Sequence, residues 1–330
     1  MSEVDFSIII PAFNEAANIQ KCLESVSACR KNGFSSETIV VDNGSTDDTA
    51  AIARASGVRV EINAGPRLTI SSLRNRGAQM SSGKYLVFLD ADMVAPSNWL
   101  VAAGAYFKNG FQGMFGFVDK VPDEAGPLAK AWGNKLFIKR DKVVEVDFLR
   151  GRNLFINRSV FFELGGFDES LTTAEDKDLT LRAAAAGYRV FSSPEAPVIH
   201  LGHEKNLKEF IAKEYWRQGG ALGLFLKKKT SFRTLRHPLL CLWHVVMPLA
   251  FLFVLLAGHA ATALLFLFFW PLPAALQTLL DLRGKGGPGL TFQLLFLTFL
   301  RWHIAALALA VQTKRMLIKK TSGQEHDHEH

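Results

Sequence analysis

Cysteine is scarce in this chain of 330 residues: Cys22, Cys29 and Cys241, with no metal-type spacing among them. Cys22 and Cys29 fall on a helical pattern and read as reduced core thiols, not as a disulfide framework. The amino-terminal MSEVDFSIIIP lacks a basic region followed by an apolar stretch. No signal peptide is therefore expected, and the first domain is expected to stay in the cytoplasm. The longest apolar runs all lie after residue 237. The formal net charge is +7, with unevenly placed basic residues, and 48% of the chain is hydrophobic. That length suits a large core plus an appendage.

What is present is organised around Lys84–Met93, KYLVFLDADM. Five large apolar residues in a row read as a strand buried on both faces. The strand ends abruptly in Asp90-Ala91-Asp92. Alternate strand residues point the same way, so Asp90 and Asp92 can project together at its carboxyl end. In an open α/β sheet ligands bind at that edge. Two hard oxygen ligands suit Mg²⁺ or Mn²⁺ shared with a phosphate; the bland alternative is a surface turn.

Upstream, Phe6–Ile10 is a strand stopped by Pro11, and Ala16–Arg30 has helical spacing. Thr38–Val41 is a strand ending at Asp42-Asn43-Gly44-Ser45, Thr49–Ser56 a helix, Val58–Ile62 a strand and Leu73–Met80 a helix. This alternation predicts an α/β domain with a mainly parallel central sheet and helices on both faces. Glu15, Asp42 and Asp90/Asp92 then fall after three strands at one sheet edge.

SIIIPAFNEAANIQKCLESV, IVVDNGSTDDT, RNRGAQMSSGKYLVFLDAD and GGFDESLTTAEDKDL together resemble the family 2 glycosyltransferases of the GT-A fold, in that family's order. The resemblance covers roughly Ser7–His200. It implies an inverting transferase that moves sugar from a nucleotide diphosphate to an acceptor. It also implies that Asp42 binds the nucleobase, with Pro11, Ala12 and Glu15 lining that pocket; an Asx-turn with Gly44 is the competing role. Arg67 and Arg74 are candidate diphosphate contacts, since guanidinium forks match phosphate oxygens, or else solvated helix charges. Of the two acids, Asp92 is the favoured metal ligand, and Asp90 is a ligand or a ribose contact. His200 stands where some GT-A enzymes supply a metal or phosphate ligand; a structural role is the alternative, with His203 as fallback.

Glu175-Asp176 precedes a predicted helix, Leu179–Ala186, where helix-dipole stabilisation alone could account for acids. At the family's position for this pair, Asp176 is the expected base that removes the acceptor hydroxyl's proton, and Glu175 a supporting or acceptor-binding residue. No covalent sugar–enzyme intermediate is needed, so no Ser/His or Cys/His constellation is expected. Residues 94–150 are less legible: Ser97 is a plausible helix cap, Gly110–Val118 is strand-like, and Ala129–Val144 is a helix or mobile segment carrying Lys135, Lys139, Arg140 and Lys142.

Beyond 204 the composition changes. Residues 205–237 mix aromatic and basic side chains as interfacial helices do, and Lys227-Lys228-Lys229, Arg233 and Arg236 suit anionic headgroups better than nucleic acid. Where processive relatives carry Gln-x-x-Arg-Trp, this chain has Tyr215-Trp216-Arg217-Gln218-Gly219, which favours addition of one sugar over polymerisation. Within 238–318, Leu239–Ala257 can span a bilayer, Ala260–Leu280 is interrupted by Pro271 and Pro273, and Leu290–Val311 carries Arg301 and His303. Three full spans cannot place every flanking basic group in the cytoplasm; two spans plus an interfacial segment can. The tail, 319–330, is expected to be disordered.

These readings converge on a metal-dependent transferase anchored in the inner (plasma) membrane, with its catalytic domain cytoplasmic. Its expected partners are a nucleotide-diphosphate sugar, a lipid-linked acceptor (a polyprenyl phosphate or a lipid-linked glycan) and the membrane, with no nucleic acid. A processive synthase and a catalytically silent nucleotide-sugar-binding protein are the alternatives.

Overall fold

The computed structural model describes residues 4–29, 33–218 and 232–321. The chain divides between His203 and Glu204 into two compact units. The first begins β1 (Phe6–Ala12), α1 (Ile19–Cys29), β2 (Ser36–Asp42), α2 (Thr49–Ala55), β3 (Arg59–Ile62), α3 (Ile70–Met80) and β4 (Tyr85–Leu89). It continues with β5 (Met93–Val94), α4 (Trp99–Lys108), β6 (Gly113–Lys120), α5 (Pro127–Gly133), α6 (Lys135–Lys139) and β7 (Val144–Glu145). β8 (Asn153–Asn157), α7 (Arg158–Glu163), α8 (Glu175–Ala185) and β9 (Arg189–His200) complete it.

The strands form one sheet, ordered β3-β2-β1-β4-β8-β6-β9-β5, with β7 also on β9. β3, β2, β1 and β4 are mutually parallel, as the βαβ alternation requires. β8 enters antiparallel between β4 and β6, and β6 and β9 are again parallel. Apolar side chains fill both faces: Phe6, Ile8 and Ile10 pack with Cys22, Leu23 and Val26 on one side. Ile9, Leu86 and Phe88 pack with Phe161, Phe167 and Leu179 on the other. Cys22 and Cys29 are buried free thiols.

Several boundaries differ from expectation for identifiable reasons. β1 does not stop at Pro11: pairing with β4 ends at Ile9, whereas pairing with β2 runs on to Ala12. Proline's missing N–H therefore costs no ladder bond on the β4 side. β9 runs twelve residues through Pro194 and Pro197, because a register shift opposite Phe117–Asp119 absorbs them. α3 starts at Ile70 because the Thr69 side chain caps it. α4 begins after Asn98, one residue later than a cap at Ser97 would set it, and the Asn98 side chain makes no cap bond. Ala129–Val144 takes in most of α5, all of α6 and the first residue of β7.

The second unit holds α9 (Leu207–Arg217), α10 (Phe232–Leu256), α11 (Ala260–Phe269), α12 (Leu272–Leu282) and α13 (Pro288–Thr321). Three stretches, His237–Leu256, Ala260–Leu282 and Pro288–Lys314, are long and apolar enough to cross a membrane. α9 is amphipathic: Phe210 and Glu214 are buried, while Leu207, Ile211, Tyr215 and Trp216 are exposed. Arg217 pairs with Glu204 and Glu214, each at 2.5 Å, and Arg301 of α13 approaches Glu214 at 3.2 Å. The Lys227–Lys229 cluster and the His-rich tail lie outside the described residues.

Candidate active site

β4, β5 and the end of β9 assemble the first group of charged side chains. Antiparallel pairing sets Met93 of β5 opposite His200 of β9. That register brings Asp92 Oδ2 to 3.1 Å from His200 Nε2. Gly202 closes the group from behind: a Cβ there would overlap Asp92 Oδ2 and stand 3.3 Å from His200 Nε2. His203 turns away, its Nδ1 3.3 Å from the His200 carbonyl. Arg152 Nη1 sits 3.4 Å from both nitrogens of the His200 ring, and its Nη2 donates to buried Asp119. Arg150 Nη1 donates to the same carboxylate at 2.9 Å.

Electrostatics fix the protonation states here. Burial pushes the Asp119 carboxyl upward, but the Arg150 and Arg152 guanidiniums override it and hold the acid well below its usual range. Burial likewise raises Asp92, yet His200 and Arg152 prevail and leave it lowered. His200 is lowered by burial first and by Arg152 second, against the attraction of Asp92. At neutral pH the group is thus a carboxylate beside a neutral imidazole.

The second group surrounds Arg74, which is 2% exposed and directly beneath Gly151, whose added Cβ would lie 2.6 Å from Nη1. Arg74 Nη2 donates to Asp90 Oδ1 and Nη1 to Glu175 Oε1, each at 2.8 Å. Arg74 is thus not a solvated helix charge: it is buried, and both ends of its fork hold carboxylates. Asp90 Oδ1 is correspondingly held by Arg74. Ala174, at φ 67, bends the chain into α8 and puts Glu175 and Asp176 in the helix's first turn. A non-glycine residue in the left-handed region is strained and clusters at functional sites.

Asp176 Oδ2 accepts from the Gly151 N–H at 3.0 Å, and Oδ1 from the Lys177 N–H at 2.7 Å. Burial, reinforced by the charge of Glu175, pushes Asp176 up to about 6. The segment 150–153 therefore links both groups. Gly151 holds Asp176, Arg152 touches His200, and the Arg152 carbonyl accepts from the Asp90 N–H at 3.2 Å. Arg152, Asp119, Gly151 and Gly202 were missed as site residues. The one available signal was Arg152, the single charge in the expected strand Gly151–Ile156; Asp119 lies 33 residues from its partner.

The ends of β1 and β2 form a third region. Asp42 is 1% exposed, and both its oxygens accept from Ser45: Oδ2 from the N–H at 2.9 Å, Oδ1 from the hydroxyl at 2.5 Å. The turn closes on Ser45 rather than on Gly44, whose φ of +73 explains the glycine. Pro11 and Ala12 are buried beside it at the end of β1. Glu15 accepts from Asn18 at 2.9 Å, and burial raises its carboxyl, with Asp92 and Asp90 adding to the effect. Arg67 is exposed, its guanidinium 3.7 Å above the Phe13 ring.

Among the described residues no group of three His, Cys, Asp or Glu side chains converges as a closed metal cage. An open site is different. An ionised carboxylate and a neutral imidazole 3.1 Å apart fit a Mg²⁺ or Mn²⁺ ion that also takes oxygens from water and a bound phosphate. Ala91, between the two acids, is buried and fixes the turn.

Comparison with known proteins gives the fold class and the family. Over 93% of its length the chain superposes on the mannosyltransferase PcManGT from Pyrobaculum calidifontis, solved with GDP-Man and Mn²⁺ (TM-score 0.58, 18% identity, 88% of that chain). That likeness defines the class: a GT-A fold followed by apolar helices. The family model for glycosyl transferase family 2 matches residues 7–166, and that for glycosyl transferase family group 2 matches 128–279. Glycosyltransferase AglE from Haloferax volcanii is 30% identical over 246 residues, 73% of this chain and 80% of that protein. Succinoglycan biosynthesis protein ExoA from Rhizobium meliloti is 27% identical over 235 residues, 67% of this chain and 70% of that protein. The chain belongs to glycosyltransferase family 2 and is a glycosyltransferase.

Proposed function

We propose that this enzyme transfers one sugar, with inversion, from a nucleotide-diphosphate sugar to a lipid-linked acceptor at the cytoplasmic face of the inner membrane. The observation that carries the reading is segment 150–153, which ties an acid raised to about 6, Asp176, to the Asp92–His200 pair. Asp92 and His200 would hold Mg²⁺ or Mn²⁺, and when bound the ion neutralises charge on the diphosphate. Asp42 with Pro11, Ala12 and Glu15 receives the nucleoside; Arg67 is the exposed cation available to the phosphates.

Asp176 removes the proton from the acceptor hydroxyl as its oxygen bonds to the anomeric carbon. The bond from that carbon to the diphosphate oxygen breaks, and the nucleoside diphosphate leaves with the bonding pair. Burial keeps Asp176 basic enough for this, while the Gly151 N–H fixes its orientation. Glu175 supports the charge balance through Arg74. The apolar helices and the exposed apolar stripe of α9 support a lipid-linked acceptor. Tyr215-Trp216-Arg217-Gln218-Gly219, standing where processive relatives carry Gln-x-x-Arg-Trp, supports single transfer over polymerisation.

Membranes containing the enzyme are incubated with labelled UDP-, GDP-, dTDP- and CMP-sugars and the lipid fraction is extracted. Label in lipid that disappears in both Asp92→Ala and Asp176→Asn is expected. Transfer surviving both substitutions would refute the residue assignments.

A further inference from the structure

The second apolar stretch has the length of a membrane span without its shape. α11 has ten residues and α12 eleven, and they meet at Trp270-Pro271 as separate helices. At 1.5 Å per residue each rises about 15 Å, half of the ~30 Å hydrocarbon layer.

The courses of the neighbouring helices fix where α12 can go. α11 follows α10 after three linking residues, 257–259, and returns along it, so that the Trp243 indole donates to the Trp270 carbonyl at 3.3 Å. α13 runs antiparallel to α10. Cys241 clusters with Trp302, Ala305 and Ala306. His244, further along α10, faces Phe299, Trp302 and His303. His237, a turn before Cys241, meets Gln218, whose carbonyl accepts from Gln312. As α10 advances, its partners on α13 retreat, so Pro288 lies towards the Leu256 end.

Trp270 is level with His303, to whose Nε2 its indole donates at 3.2 Å. α12 therefore starts at that depth and must deliver the chain to Pro288, about 22 Å further along α13. Only residues 283–287 remain to connect them, a reach of at most ~20 Å. Had α12 continued the course of α11, the gap would approach ~38 Å. Instead α12 turns back along α13: the Trp302 indole donates to Gln277 at 3.0 Å, and a Cβ on Gly286 would meet both Leu290 and Leu282.

We propose that α11 and α12 form a re-entrant pair, entering and leaving the bilayer on the side where α10 ends, and that only α10 and α13 cross it. At the tip, Trp243 donates to one of the carbonyls that the break frees, that of Trp270, as a break at membrane depth requires of the surrounding protein. Arg301, adjacent to Trp302, is paired with Glu214, so its charge is compensated within the protein. The basic residues before α10 and those at Lys314, Arg315, Lys319 and Lys320 then share one side, with only Arg283 and Lys285 opposite. The topological conflict read from the sequence is thus resolved at the second apolar stretch rather than the third.

Single cysteines replace His259, Gly287 or Thr321 in the full chain with Cys22, Cys29 and Cys241 changed to serine. A membrane-impermeant maleimide is applied to spheroplasts and to inverted vesicles. Positions 259 and 287 are expected to label from one side and 321 from the other. Labelling of 287 from the side opposite 259, with 321 on the side of 259, overturns the proposal in favour of three spans. Reporter fusions joined after Gly287 and after Thr321 read the same sidedness without the cysteine background. The outcome does not depend on which sugar or acceptor the enzyme uses.

Discussion

Arg74 spans two carboxylates from distant parts of the chain, Asp90 at 2.8 Å and Glu175 at 2.8 Å, with its side chain 2% exposed. Removing it leaves Glu175 buried and uncompensated, and such a break costs about 3–5 kcal/mol. Arg74→Ala is expected to lower the melting temperature of the purified, detergent-solubilised enzyme by several degrees and to abolish transfer. Arg74→Lys keeps the charge but not the two-pronged fork, so an intermediate loss is expected. Unchanged thermal unfolding in Arg74→Ala would show that the bridge holds nothing in place.

Asp176 gives the pH dependence its direction. The acid must be ionised to accept a proton, so turnover is expected to rise as pH climbs through about 6 and to level off above it. Stability runs the other way. The folded chain holds this proton more tightly than the unfolded chain, whose Asp titrates near ~3.9. The resulting stabilisation is present below that value and lost as pH rises through about 6. Asp176→Asn is therefore expected to melt higher than wild type at pH 8 while turning over at least ~100-fold more slowly, in line with the loss of a general base. Calorimetry and initial rates on the same preparation read both.

The parallel half of the sheet was legible because its strands are short apolar runs punctuated by helices with 3.6-residue spacing, as in Phe6–Ala12 and Ile19–Cys29. Asp92 and His200, 108 residues apart, were nominated separately, but only the β5–β9 register shows them in contact. Arg74 was nominated for a phosphate because nothing local announces the Asp90 and Glu175 carboxylates that its fork holds. Arg152 and Asp119 were invisible for a related reason: their pairing arises where β8 and β6 run side by side in the sheet. In the second unit apolar length was legible, but the reversal at Trp270-Pro271 depends on what α12 packs against.

The proposed role of the Asp92–His200 pair as ion ligands is tested by metal dependence. Chelation with EDTA is expected to abolish transfer, and Mn²⁺ or Mg²⁺ to restore it. Loss of one protein ligand weakens an open site without erasing it, so His200→Ala is expected to raise the Mn²⁺ concentration for half-maximal activity by about 10–100-fold, the range seen when a metal's supporting groups are removed. Full activity in the presence of EDTA would sink the assignment.

Gly202 supplies a test that leaves every polar group in place. A Cβ at this position would overlap Asp92 Oδ2 and crowd His200 Nε2. Both are mostly buried and neither can retreat freely: His200 is backed by Arg152, and the Asp92 carbonyl accepts from the Leu201 N–H at 2.8 Å. Gly202→Ala is therefore expected to spread the pair, and misplacement of reacting groups by about 1 Å costs roughly 100-fold in rate. Because the fault lies beside the sheet edge and not in the core, the melting temperature should stay close to wild type. The discriminating measurement is kcat against Mn²⁺ concentration. A rate that recovers fully at high Mn²⁺ locates the damage in ion binding, whereas a rate that stays low locates it in the placement of the donor's diphosphate. Wild-type kinetics in Gly202→Ala would mean that the Asp92–His200 contact is not part of the working site.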